Sequence, residues 1–116
     1  MKKLSDLTAP AAIAAKPMLE AEVQSKCVAW MRGRGYWARK FSSQSQRSVP
    51  DYLFSKGTLK FACEFKRPGN SPTEAQKDEL EAMRQAGWLA FWCDSVDTFK
   101  AVVVQMETTQ PRICEC

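Results

Sequence analysis

Val49-Pro50-Asp51-Tyr52-Leu53-Phe54-Ser55-Lys56-Gly57-Thr58-Leu59-Lys60-Phe61-Ala62-Cys63-Glu64-Phe65-Lys66-Arg67 is the stretch that decides the fold. From Leu59 onward it alternates. Leu59, Phe61, Cys63 and Phe65 fall on one side and Lys60, Ala62, Glu64 and Lys66 on the other, which is the period of a β-strand. Tyr52-Leu53-Phe54 is a second apolar run and Gly57 marks a tight turn between the two, so they are expected to pair as an antiparallel hairpin. Pairing Ser55 with Thr58 sets Asp51 opposite Ala62, on the face of Glu64 and diagonal to it, about 7–8 Å away. Two carboxylates and the Lys66 ammonium then share one patch in strands otherwise built from Phe, Leu, Tyr and Cys. Charges withdrawn from water need a partner or a metal, and an oxygen-only donor set suits a hard cation such as Mg²⁺ or Mn²⁺. Spacing alone leaves a second reading open: a surface hairpin with both carboxylates solvated and Lys66 paired to one of them.

At 116 residues and 45% hydrophobic, the chain suits one domain with its own core. A net charge of +4 fits a polyanionic partner without demanding one. The sequence has no histidine, which excludes Ser-His and Cys-His nucleophilic sites and histidine metal centres. Hydrolytic chemistry would therefore rest on carboxylates, lysine and metal. Cys27, Cys63, Cys93, Cys114 and Cys116 contain no CxxC pair, and an odd number of core-type thiols reads as a reducing, intracellular setting. Lys2 and Lys3 are not followed by a convincing signal peptide, and no stretch approaches a membrane span.

Residues 1–17 read as an N-terminal arm, 18–106 as the folded domain and 107–116 as a tail. A first helix is expected from about Met18 to Arg32, closed by Gly33 and Gly35. At about 100° per residue, Leu19, Val23, Cys27, Val28, Trp30 and Met31 share one face, and Glu20 and Gln24 lie among them. Glu20 is thus a carboxylate aimed towards the sheet, or else only a complement to the helix dipole; Glu22 points away. Tyr36 to Phe41 reads as a strand, followed by the polar loop Ser42 to Ser48, whose hydroxyls (Ser43 among them), amides and Arg47 would rim the carboxylates and meet phosphate oxygens, or else stand solvated; Lys40 is a further candidate phosphate contact. Ser71-Pro72-Thr73-Glu74 reads as a capping box opening a helix that ends before Gly87. The continuous apolar run Trp88 to Cys93 reads as a buried central strand. Asp94 or Ser95 would cap a last helix with Val96, Phe99, Val103 and Met106 on one face. The order α-β-β-β-α-β-α implies an α/β domain, a mixed four-stranded sheet flanked by helices.

This arrangement resembles the PD-(D/E)xK nuclease fold, whose motif is matched by Pro50-Asp51 and by Glu64-Phe65-Lys66 after the hairpin. More narrowly it resembles the VRR-NUC family, the virus-type replication-repair nucleases, in a small stand-alone form such as phages carry. The matching features are an inward helix glutamate, the Val-Pro-Asp strand start, Glu64-Phe65-Lys66-Arg67-Pro68-Gly69, Gln76 in the next helix, and Gly87 before an apolar strand. Ser48 stands where the family often has glycine, and some relatives carry the helix glutamate where this chain has Gln24.

The resemblance implies that Asp51, Glu64 and the Phe65 carbonyl hold Mg²⁺ or Mn²⁺, with Glu20 completing the site. It implies that Lys66 orients or deprotonates the attacking water and that Gln76 helps to position Lys66 or the DNA. Arg67 joins Lys40, Ser43 and Arg47 as a candidate phosphate contact. The implied activity is metal-dependent cleavage of branched DNA, most of all four-way (Holliday) junctions, by a homodimer. Trp30, Trp37, Trp88 and Trp92 are more aromatic surface than one small core needs; core packing is the default for each, and the dimer interface is the alternative for some. The rival readings are a nuclease for flaps or nicks, and a nucleic-acid-binding module without catalysis.

Overall fold

A computed structural model of the chain describes residues 18–42, 45 and 48–109. Helix α1 spans Glu20–Gly33, strands β1 Trp37–Lys40, β2 Tyr52–Lys56 and β3 Leu59–Phe65 follow, then α2 Glu74–Gln85, β4 Leu89–Cys93 and α3 Val96–Thr109. The sheet order is β1-β2-β3-β4, with the first three strands antiparallel and β4 parallel to β3 across the α2 crossover. The expected α/β class and element order are those observed.

The alternation in β3 divides the molecule. Leu59, Phe61, Cys63 and Phe65 enter a core with Val23, Cys27, Val28 and Met31 of α1 and Phe99 and Val103 of α3. Ala62, on the other face, meets Leu80 of α2 and Ala90 of β4 in a much smaller cluster. So α1 and α3 cover one face of the sheet and α2 covers part of the other. Asp51, Glu64 and Lys66 have the parity of the α2 face.

Four expectations on the fold are corrected. The hairpin turns through Gly57 and Thr58, with Lys56 paired to Leu59 and Ser55 to Lys60 rather than to Thr58. Gly57 has φ +62°, at the position where a two-residue hairpin turn favours glycine. A shift of two residues preserves parity, so the faces stand as read, but Asp51 comes level with Glu64 instead of diagonal to it. Second, β4 is an edge strand: Leu89 and Trp92 are exposed, and the most buried strand is β3. Third, the cap of α2 is Thr73, whose hydroxyl accepts from Gln76 N–H at 3.1 Å while Gln76 Oε1 accepts from Thr73 N–H at 2.9 Å. Ser71 and Glu74 do not form that box. Fourth, α3 runs past Met106 to Thr109, and Glu107 accepts from the Tyr36 hydroxyl and pairs with Arg34. Ser95, not Asp94, caps α3, accepting from Thr98 N–H at 3.0 Å. The arm of residues 1–17 and the tail beyond Thr109 lie outside the described residues.

Candidate active site

β2 starts one residue after Asp51, and the rim of the sheet fixes that aspartate from two directions. Its carbonyl accepts from Phe41 N–H at 2.8 Å, and its side-chain Oδ2 accepts from Phe65 N–H at 2.9 Å. Glu64, level with it on β3, is only 3% exposed, so the reading with both carboxylates solvated does not hold. Glu64 Oε2 accepts from Gln76 Nε2 at 2.9 Å and lies 3.5 Å from Lys66 Nζ. Gln76 therefore has two jobs, capping α2 with its carbonyl oxygen and gripping Glu64 with its amide. Burial, and then the charge of Asp51, push the Glu64 carboxyl up from 4.5 to about 7 against the pull of Lys66. The charge of Glu20 adds to the same rise.

Glu20 itself is exposed, because it opens α1 and the first turn is not covered by the sheet. Gln24, one turn on, is half-buried, and its Oε1 lies 3.4 Å from Lys40 Nζ. Lys40 is on the α1 face of β1, opposite to the carboxylates, with its amine 5.7 Å from the Tyr52 ring centroid. Arg67 is exposed just beyond Lys66 and lines a cavity of about 700 Å³ between the start of α1 and the 67–70 loop. Ser43 and Arg47 lie outside the described residues. Glu22, which points away from the sheet, accepts from Leu19 N–H at 2.8 Å and caps α1. An acid three residues into a helix was the available signal for that role.

Which group fits here can be tested on Glu64. Its Oε1 is buried and has no hydrogen-bond partner, an arrangement that costs stability unless a cation or a proton satisfies it. Asp51 beside it supplies a second hard oxygen, and the donor set fits a divalent cation such as Mg²⁺ or Mn²⁺. Among the described residues no three Asp, Glu, His or Cys side chains converge closely enough to hold an ion. A backbone oxygen, water or substrate oxygen would have to complete the coordination.

Two measurable consequences follow from this geometry. Below about pH 4.5 the Glu64 carboxyl is protonated whether folded or not; between there and about 7 the unfolded chain releases its proton first. Metal-free protein therefore loses stability as pH rises through that window, by about 3 kcal/mol for this group, and levels off above it. Urea titrations at several pH values in EDTA should show the fall in wild type and its loss in Glu64→Gln. Thr73→Ala removes only the cap of α2 and should cost about 1 kcal/mol. Gln76→Ala also strips the donor from buried Glu64 and should cost about 2–3 kcal/mol, read in the same titrations.

An α/β sheet carrying Asp, Glu and Lys at the rim of a β-hairpin, with a helix glutamine behind them, defines the architectural class. No protein-family model matches the sequence, and no curated protein matches it either. Among solved structures, one titled "VRR_NUC domain protein" superposes with a TM-score of 0.67 at 22% identity, covering 79% of this chain and 91% of that one. Another, titled "VRR_NUC domain", gives 0.66 at 21% identity, covering 79% of this chain and 97% of its own. The chain thus has the fold of these VRR_NUC domains over most of its length.

Proposed function

We propose that the chain is a divalent-metal-dependent nuclease that hydrolyses phosphodiester bonds in branched DNA, foremost four-way junctions, as a homodimer. The observation that carries this reading is the buried Glu64 carboxylate, with one oxygen unpartnered, level with Asp51 and beside Lys66. Asp51, Glu64 and the Phe65 carbonyl would hold Mg²⁺ or Mn²⁺, with Glu20 or Gln24 reaching the site from α1. Bound there, the ion supplies Lewis-acid polarisation of the scissile phosphoryl group and neutralises charge on its oxygens.

The chain's own residues do the rest. Phe65 N–H holds Asp51 Oδ2 and Gln76 Nε2 holds Glu64 Oε2, which leaves Glu64 Oε1 buried and unpartnered. Lys66 Nζ, 3.5 Å from Glu64 Oε2, would orient the attacking water and the scissile phosphate oxygens as a donor, while the proton lost by the water leaves to solvent. Arg67, with Ser43 and Arg47, would bind phosphates, a backbone contact that steers without reading sequence; Lys40, on the opposite face, is not part of that set. The buried thiols Cys27, Cys63 and Cys93 accord with an intracellular protein. Among the described residues no helix is long and apolar enough to cross a membrane.

The test is incubation of the purified chain with a labelled four-way junction and a matched linear duplex, in Mn²⁺, in Mg²⁺ and in EDTA. Symmetric metal-dependent cuts confined to the junction are expected. Binding without cutting in either metal would replace the nuclease with a binding module, and a monomer by light scattering would remove the dimer.

A further inference from the structure

The carboxylates occupy the middle of a row that crosses all four strands. Continuing the β1–β2 register sets Phe41 beside Asp51, with Phe41 N–H bonded to the Asp51 carbonyl at 2.8 Å. Continuing the β2–β3 register sets Asp51 beside Glu64, and Glu64 pairs with Trp92 in the parallel ladder. Side chains at paired positions share a face. The row therefore reads Phe41, Asp51, Glu64, Trp92: two carboxylates between two aromatic rings.

Both rings are open to solvent, Phe41 at 42% and Trp92 at 36%, although the phenylalanines of the core are 1% exposed or less. Strands lie about 4.8 Å apart, which separates the two ring-bearing positions by about 14 Å. That span accommodates a phosphodiester over the carboxylates with a nucleoside on either side. Trp37 continues the Phe41 side of β1, 49% exposed, with the Arg39 guanidinium 5.0 Å from its ring centroid. Aromatic faces and cations in one stripe beside a phosphate-handling site are the elements that grip unpaired bases.

We propose that Phe41 and Trp92 stack on bases whose faces are left open on either side of the scissile phosphate, so that the strand to be cut is unstacked there, at the branch point of a junction or in a single strand. This rests on the nuclease reading for the identity of the site. A base inside a continuous duplex already has both faces covered, and the rings gain nothing from it. Stacking therefore selects for interrupted base stacks without reading sequence.

The experiment uses the full chain in EDTA, where binding is measured without cutting. Fluorescence anisotropy with a labelled single strand, a four-way junction and a duplex compares wild type with Phe41→Leu, Trp92→Leu and Trp92→Phe. The leucine variants keep apolar bulk without a flat ring, and circular dichroism melts report whether each variant is folded. Each leucine variant should weaken single-strand and junction binding on the order of 10- to 100-fold and leave duplex binding unchanged, while Trp92→Phe stays close to wild type. Unchanged affinities, an equal loss on duplex, or a change in oligomeric mass with DNA affinity unaltered would overturn the proposal. Failure of the nuclease reading would look different: the wild type would bind and never cut in metal, whatever the leucine variants did.

Discussion

Asp51→Asn and Lys66→Met should each suppress metal-dependent DNA cleavage by about 10²–10⁴-fold or more, and the two losses should be separable by what else changes. An asparagine at 51 still offers an oxygen to Phe65 N–H, so the rim of the sheet keeps its geometry. It removes one of two negative charges beside buried Glu64, and with it the affinity for a divalent cation. The rise in melting temperature on adding Mn²⁺ should therefore shrink in Asp51→Asn, and DNA binding in EDTA should tighten because a negative charge facing phosphate is gone. Lys66→Met keeps both carboxylates and most of the bulk of a side chain that is only 15% exposed. Its Mn²⁺ stabilisation should survive while cleavage is lost, which assigns Lys66 to the water and not to the ion. Cleavage by Lys66→Met at the wild-type rate would remove that role, and an unaltered Mn²⁺ response in Asp51→Asn would remove Asp51 from the ion.

The parts of this site that were legible in the sequence were those set by parity. Glu64 and Lys66 alternate with Phe61, Cys63 and Phe65, and no choice of turn moves them to the core face; even the misjudged Ser55–Thr58 pairing, two residues out, left Asp51 on the correct side. The level of Asp51 with Glu64 was not legible, because it depends on whether the chain reverses at Gly57-Thr58 or one step earlier, and both pairings keep the same hydrophobic pattern. The edge position of β4 was hidden for another reason. Trp88 to Cys93 is apolar at every position, which suits a strand buried on both faces, yet a crossover strand can join either at the centre or at the rim. Here Leu89 and Trp92 remain in solvent. Glu20 was read inward from its angular position on α1, but angle does not say where along its length a helix leaves the sheet. Gln76 was a motif match, whereas its bond to Glu64 depends on α2 being capped at Thr73, so that its first turn sits beside the end of β3.

Phe99→Ala should be the most damaging single substitution in the core, costing about 3–5 kcal/mol. Its fully buried ring meets those of Trp30, Phe54, Phe61, Phe65 and Phe91 at centroid distances of 5.5–6.4 Å, so truncation opens a void bordered by α1, β2, β3 and β4 together. Relaxation into that void is limited because the bordering rings are stacked or edge-on to one another. A domain of this size has about 5–15 kcal/mol in total, and about 1 kcal/mol shifts its melting point by about 4–8 °C, so a drop of well over 10 °C is expected by circular dichroism. Leu89→Ala, at an exposed position of β4, should stay within about 0.5 kcal/mol of wild type. Phe99→Leu is the informative intermediate. It retains most of the volume and should lower stability without altering Mn²⁺ affinity, because Phe65 anchors β3 on the core face while Glu64 and Lys66 project from the other. A matching loss of Mn²⁺ affinity in Phe99→Leu would mean that packing beneath Phe65 sets the position of the carboxylates across the strand, and that the two faces of β3 are coupled.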